Sequence, residues 1–234
     1  MNKSSFIEEL EKRSIRCSES QLAKLWDFMY HVLKTNEQFN LTAIKDEETF
    51  VEKMIFDSAL LLLDNRLENQ DILDIGSGAG FPSVVLAILS PNSRVYALDS
   101  TTKKVEFIKL YAEKNNLENL TVINERAEDY AKTHREQFSF VTARAVASLR
   151  ILIELAVPLL KVGGSFIAMK GLGFEKEVNE SIDAFKELNC KIDYIYEDVL
   201  PQSKESRSLI FIKKTRKTSK KYPRTFSEIK NRPL

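Results

Sequence analysis

The residue types best able to grip a ligand lie in the run Ile72-Leu73-Asp74-Ile75-Gly76-Ser77-Gly78-Ala79-Gly80-Phe81-Pro82. An apolar stretch enters a Gly-x-Gly-x-Gly turn, and a helix-forming stretch follows. Glycine lets the backbone turn at positive φ and approach a ligand with no Cβ in the way. Pro82 suits the first helical position, where its missing N–H costs nothing. The free amides of a helix start then favour a carboxylate or the edge of a ribose. A second acid, Asp99, closes the apolar run Val95-Tyr96-Ala97-Leu98, 21 residues after Gly78. In doubly wound folds an acid there accepts from the hydroxyls of an adenosine ribose. A charged acceptor can take both hydroxyls, and charge-assisted bonds are the stronger kind. A glycine turn alone is equally a tight strand-to-helix connection; the turn together with Asp99 is what points to an adenosine ligand.

Two adenosine cofactors compete for such a loop. The dinucleotide fingerprint is G-x-G-x-x-G, and here the third glycine, Gly80, comes one residue early. Asp74, two residues before Gly76, suits S-adenosylmethionine instead, as a wet acid that holds the ligand's ammonium directly or through water. No histidine stands where a dehydrogenase would need one: His31 and His134 fall in helical surface stretches and are read as structural or solvent-exposed. Ala127-Glu128 follow a third apolar run, where this fold places contacts to adenine; Glu128 alone reads equally as a helix-start acid complementing the dipole. Arg144, ending a fourth run at the edge where ligands bind, could hold a substrate phosphate or the cofactor carboxylate with paired hydrogen bonds; taken alone it reads as a surface salt-bridge partner. Lys170, ending a fifth, faces either the phosphates of a nucleic acid or solvent. Cys17 and Cys190 form no C-x-x-C pair, so neither a disulfide framework nor a metal site is expected.

The elements that must position these residues follow from periodicity. The first 65 residues read as helical: Leu22, Leu25, Trp26, Met29 and Leu33 recur at spacings of three and four, and Ser18 with Gln21 forms a capping box. A further helix is expected from about Asp46 to Leu63. Short apolar runs then recur at Ile72–Ile75, Val95–Leu98, Leu120–Ile123, Phe138–Thr142, Ser165–Met169, Ile192–Tyr196 and Leu209–Ile212, with helical stretches between the first six. That rhythm predicts an α/β fold with a mostly parallel seven-stranded sheet. The non-helical stretch around Pro201 and Ser203 predicts that the last strand is antiparallel. Seven strands ending this way match the Rossmann-like class I methyltransferase variant better than the all-parallel dinucleotide fold, with N-terminal helices added. The expected division is a helical extension over 1–65, a Rossmann-like domain over 66–214 and a basic C-terminal tail over 215–234.

Charge is unevenly distributed. Pro201–Leu234 holds eleven Lys/Arg and two acids, or +9, whereas the remainder holds 35 − 11 = 24 basic and 34 − 2 = 32 acidic residues, or −8. A basic end on an otherwise acidic chain suggests a polyanionic partner, or else a solubilising tail. No stretch approaches the roughly 20 apolar residues a membrane span needs, and a cytoplasmic monomer is expected.

With these residues placed, the chain resembles the bacterial 16S rRNA guanine-N7 methyltransferases, the RsmG (GidB) family. The resemblance rests on Asn40-Leu41-Thr42, Asp57-Ser58, the Asp74 to Pro82 loop, Leu98-Asp99-Ser100 with Lys103-Lys104 and Phe107, Arg144-Ala145 with Ala147-Ser148-Leu149, Lys170-Gly171, Lys221-Tyr222-Pro223-Arg224 and Pro233-Leu234. It implies S-adenosylmethionine as cofactor, with contacts at Gly76, Phe81, Ala127-Glu128 and Arg144, and 16S rRNA or the small ribosomal subunit as partner. The chain departs from that family at Lys53-Met54 and at Arg207-Ser208, where Arg-His is usual, and at Ser83, where glycine is common. Met54 and Ser208 thus replace two histidines together, as expected of one interacting pair or patch. A methyltransferase for another substrate and an NAD(P) oxidoreductase are the alternative readings.

Overall fold

The computed structural model describes Met1–Leu234 except for the side chain of Asp64. Two N-terminal helices open the chain, α1 (Lys3–Lys12) and α2 (Glu19–Asn36). The Ser18–Gln21 capping box starts α2, and Leu25, Trp26, Phe28, Met29 and Val32 line its buried face. The single helix expected from Asp46 to Leu63 is instead a chain of short pieces: α3 (Glu47–Phe50), a π-helical stretch (Val51–Phe56), α4 (Asp57–Ala59) and a 3₁₀ turn (Leu60–Asn65). π-helical turns break the 3.6-residue phase and frequently occur at functional sites; this one sets Lys53, Met54 and Asp57 towards the sheet.

The sheet strands are β1 (Asp71–Ile75), β2 (Arg94–Asp99), β3 (Leu120–Asn124), β4 (Phe138–Arg144), β5 (Leu160–Lys170), β6 (Cys190–Val199) and β7 (Ser206–Lys214). Their order is β3-β2-β1-β4-β5-β7-β6. Strands β1 to β5 pair in parallel, and β7 runs antiparallel between β5 and β6. That insertion separates the fold from the all-parallel dinucleotide sheet. The connecting helices are α5 (Ser83–Leu89), α6 (Thr102–Lys114), α7 (Ala127–Thr133), α8 (Leu149–Ala156), α9 (Phe174–Asn179) and α10 (Ile182–Glu187). The helical stretch expected between the fifth and sixth runs therefore breaks in two, α9 and α10.

The sheet divides the apolar interior into two clusters. On one side α1, α2, α5 and α6 pack together, and every residue of α5 is buried. Buried on all sides, α5 has no need of a polar stripe, which explains its unbroken Val-Val-Leu-Ala-Ile-Leu sequence. On the other side lie α7, α8, α10 and the end of the chain.

The basic tail expected over 215–234 is folded onto the second cluster. A Thr225–Glu228 capping box opens α11 (Phe226–Asn231), and Tyr222 and Ile229 are buried in the second cluster. Lys214 is fully buried, donating to the Val157 and Leu160 carbonyls at 3.0 and 2.9 Å and pairing with Glu136 at 3.2 Å. No helix is long and apolar enough to cross a membrane, among the described residues.

Candidate active site

A cleft of about 950 Å³ runs along the carboxyl ends of the parallel strands, within the size range of ligand pockets and at the edge where open α/β sheets bind ligands. Because β7 is antiparallel, its first residues reach the same edge: Ser208 stands opposite Lys170 in the register. The cleft is therefore walled by the ends of β1 to β5 and by the start of β7.

Gly76 and Gly78 line the cleft, and Gly76, Gly78 and Gly80 of the same turn have φ of +72°, +58° and +96°. Each position favours glycine, but they differ in space. A Cβ on Gly76 would come within 2.6 Å of Val146, and one on Gly80 within 2.6 Å of Val84, whereas one on Gly78 would meet nothing nearer than 3.9 Å. Gly78 thus faces open cleft. Its N–H donates to Asp99 Oδ2 at 2.9 Å, and the Thr101 N–H donates to Oδ1 at 2.8 Å. Both oxygens are aimed by backbone, and each retains a lone pair for a ligand hydroxyl.

Asp74 differs from the wet acid expected. It is fully buried beneath the loop and does not line the cleft. Its Oδ2 accepts from the Ser83 N–H at 3.1 Å, and burial pushes its pKa up to about 7. Asp74 Oδ1, Ser77 Oγ and Ser83 Oγ are buried without a hydrogen-bond partner. Three orphaned polar atoms under one glycine loop fit a cationic or hydrogen-bonding ligand group, reached directly or through water.

Gly76, Gly78, Phe81, Asp99, Ala127, Glu128 and Arg144 all line this one cleft. Arg144 is held by the N-terminal helices. Its Nη1 donates to the Lys53 carbonyl at 3.0 Å and to Asp57 Oδ2 at 3.4 Å, while Nη2 lies 3.3 Å from Met54 Sδ. Its guanidinium stands 5.6 Å from the centre of the Phe81 ring. Asp57 also faces Arg207, whose Nε is 3.2 Å from Oδ1, near enough for an ion pair though not aligned as a hydrogen bond. Burial raises the Asp57 pKa and the two guanidiniums oppose that rise; burial likewise lowers the Arg144 pKa against the pull of Asp57. Lys53 and Arg207 both pair with Glu205, closing a network between the N-terminal helices and the approach to β7.

Lys170 lines the cleft with its ammonium already paired. It donates to the Ala147 carbonyl at 2.8 Å and to Glu177 at 2.7 Å, and Glu177 also accepts from the Leu149 N–H at 2.6 Å. It therefore fixes the loop after β4, although it lines the cleft. His31 stacks on Phe107 with ring centres 4.9 Å apart, and His134 on Tyr130 at 3.9 Å. Neither lines the cleft, nor does either cysteine. Met54 and Ser208 both line it, so the positions that depart jointly from the resembled pattern border the same cleft. Sequence reasoning missed Asp57 as the hub between two arginines, and it missed Phe226 on the cleft wall; the Thr225–Glu228 capping box was the available signal for the latter.

Comparison with known proteins decides the family. A profile described as GidB, rRNA small subunit methyltransferase G, matches residues 21–210. The chain belongs to the rRNA small subunit methyltransferase G family. A relative of that name from Fusobacterium nucleatum is 40% identical over 231 residues, covering 98% of each chain. Another, from Caldicellulosiruptor bescii, is 43% identical over 213 residues, covering 88% of this chain and 90% of its own. Family membership makes the chain an rRNA methyltransferase, and the oxidoreductase alternative falls. In fold, the chain is similar to an O-methyltransferase from Bacillus cereus solved in complex with SAH, with a TM-score of 0.59, 18% identity and coverage of 90% and 97% of the two chains. It is also similar to M. jannaschii TYW2 in complex with AdoMet, with a TM-score of 0.58, 14% identity and coverage of 74% and 79%.

Proposed function

We propose that this chain transfers the methyl group of S-adenosylmethionine to N7 of a guanine in 16S ribosomal RNA. The observation that carries the cofactor reading is Asp99, its carboxylate aimed by the Gly78 and Thr101 amides beside an open glycine turn. The family name of the relatives supports the RNA substrate. The bound cofactor supplies an electrophilic sulfonium methyl. Asp99 takes the ribose hydroxyls, the Gly76–Gly80 turn admits the amino-acid end, and Ala127-Glu128 border the adenine. Asp74 acts from beneath the loop, with Ser77 and Ser83.

Guanine N7 has an in-plane lone pair and carries no proton, so no general base is required. This suits a cleft lined by neither histidine nor cysteine. What the protein contributes is placement in near-attack geometry. The reaction leaves positive charge on the purine, and two guanidiniums nearby would oppose it. Asp57, between Arg144 and Arg207, offsets that field. Met54 and Ser208 leave this wall without an imidazole cation.

The cations that face an RNA approaching the cleft are Lys104 and Arg126. The basic end of the chain is less directly involved than its +9 charge suggests. Lys213 and Lys214 close β7 at the opposite edge of the sheet, and Arg224, Lys221 and Arg207 are paired with Glu154, Glu187 and Asp57. Exposed Arg216, Lys217 and Lys220 follow Lys214 and serve as a secondary, salt-sensitive contact to phosphates. The cleft is complete within one chain, which supports a monomer, and a ribosomal substrate supports a cytoplasmic place of action.

The test is incubation with S-adenosylmethionine and either 16S rRNA or small-subunit particles, followed by borohydride-induced cleavage mapped along the RNA. One new cleavage at a guanine supports the proposal. Methyl transfer to RNA without such a cleavage assigns a different atom, and transfer to neither substrate rejects the RNA reading.

A further inference from the structure

The segment after β7 leaves the sheet edge opposite the cleft and returns to the cleft mouth. Its path is anchored at successive points. Arg135 donates to the carbonyls of Tyr222, of Thr218 at 3.0 Å and of Ser219 at 3.2 Å. Arg224 clasps Glu154 through Nε and Nη2 at 2.8 and 2.6 Å, and its backbone N–H donates to the same carboxylate at 3.0 Å. Glu154 is fully buried on α8. Paired bonds of this kind fix orientation as well as distance, and buried Ile229 pins the helix that follows.

The outcome of this anchoring is the position of one side chain. Phe226, the first residue of α11, lies on the cleft wall with 36% of its surface exposed. The Arg126 guanidinium stands 5.9 Å from its ring centre. Arg126 directly precedes Ala127-Glu128, at the β3 end of the cleft. An adenosine whose ribose sits on Asp99, at the end of β2, must extend its base towards one neighbouring strand. The turn after β1 is taken by the amino-acid end, so the base lies towards β3, where Phe226 and Arg126 stand.

We propose that Phe226 is a cofactor-binding residue, its ring packing on the adenine so that the C-terminal segment completes the cofactor site. This rests on the cofactor reading above and extends it to a part of the chain outside the Rossmann-like domain. An aromatic face suits a purine, and a guanidinium alongside adds a cation–π contribution. The anchors through Arg135, Glu154 and Arg224 act at a distance: they place the ring and do not touch the ligand.

The test uses the full chain and S-adenosylhomocysteine, titrated by calorimetry into the wild type, Phe226→Ala and Phe226→Trp. Phe226→Ala is expected to bind roughly 10-fold more weakly and to raise the KM for S-adenosylmethionine. Its kcat at saturating cofactor, its KM for RNA and its melting temperature stay near wild type. Phe226→Trp is expected to restore binding, and its emission to change with adenosine but not with homocysteine; buried Trp26 in the wild type controls for other signals. Equal binding by Phe226→Ala and wild type overturns the inference. A raised KM for RNA with unchanged cofactor binding also overturns it, placing the ring on the nucleic acid. Failure of the wild type to bind S-adenosylhomocysteine at all instead rejects the cofactor reading, and this inference with it.

Discussion

The two halves of the cleft are held by different forces. The half around Gly78 and Asp99 is built locally: a turn joins adjacent elements, and the carboxylate is aimed by amides from the same two loops. The half around Arg144 is built from distant parts of the chain. Asp57, Arg144 and Arg207 come from the N-terminal helices, β4 and β7, and bonds made by their side chains, to one another and to the Lys53 carbonyl, connect them. Backbone donors survive every substitution except proline, whereas removing one member of a buried ion network leaves the others less compensated. The first half should therefore tolerate mutation structurally while losing ligand, and the second should lose stability first.

The largest effect expected is from Asp57→Ala. It removes, among the described residues, the only carboxylate paired with the mostly buried Arg144 and leaves Arg207 with Glu205 alone, and unfolding free energy should fall by about 3–5 kcal/mol, read by urea denaturation. Adding Arg207→Met to Asp57→Ala should recover part of that loss. A fall no larger than that of a surface substitution would erase the contrast between the halves.

Asp74 gives a pH signature under the glycine loop. Its folded pKa of about 7 lies above its ordinary value, so its contribution is fully present below the unfolded pKa, near 4, and is lost as pH rises through about 7. Stability of the ligand-free protein should therefore decline between those values. Asp74→Asn should flatten that decline, measured by denaturation at several pH values; an unchanged slope assigns the titration to another group.

Asp99→Ala should weaken S-adenosylhomocysteine roughly 100-fold by loss of charge-assisted bonds, while stability changes by only about 1 kcal/mol. Calorimetry and denaturation on one variant check both parts. An unfolded variant would mean that this half, too, is structural.

The smallest effects concern RNA. Lys104→Gln with Arg126→Gln should lower RNA affinity about 10-fold and reduce the salt slope by about 1–2. Lys217→Gln with Lys220→Gln, on the far edge, should change affinity by less than about 3-fold. The reverse order in filter binding across a salt series would move the main RNA contact to the chain's end.

The same contrast explains what was legible in the sequence. The seven strands, the antiparallel β7 and the glycine loop with Asp99 follow from contiguous patterns: apolar runs, glycines at a fixed spacing, and an acid at the end of a strand. The Asp57 hub does not, because its partners are separated by 87 residues or more and charge carries no periodicity. Asp74 misled because an acid in a strand shows its charge but not its burial. The basic end misled through composition: counting Lys214 and Arg224 as free charge missed that one is enclosed and the other clasps Glu154. The break of the 46–63 helix into α-, π- and 3₁₀-turns is set by docking on the sheet, which local propensity does not encode.

The most direct test of the account is a crystal structure of the full chain with S-adenosylhomocysteine. The account predicts both ribose hydroxyls on Asp99, the base towards Ala127-Glu128, and Arg144 still bridged to Asp57. A ligand bound elsewhere, or Asp99 turned away from the sugar, would contradict it.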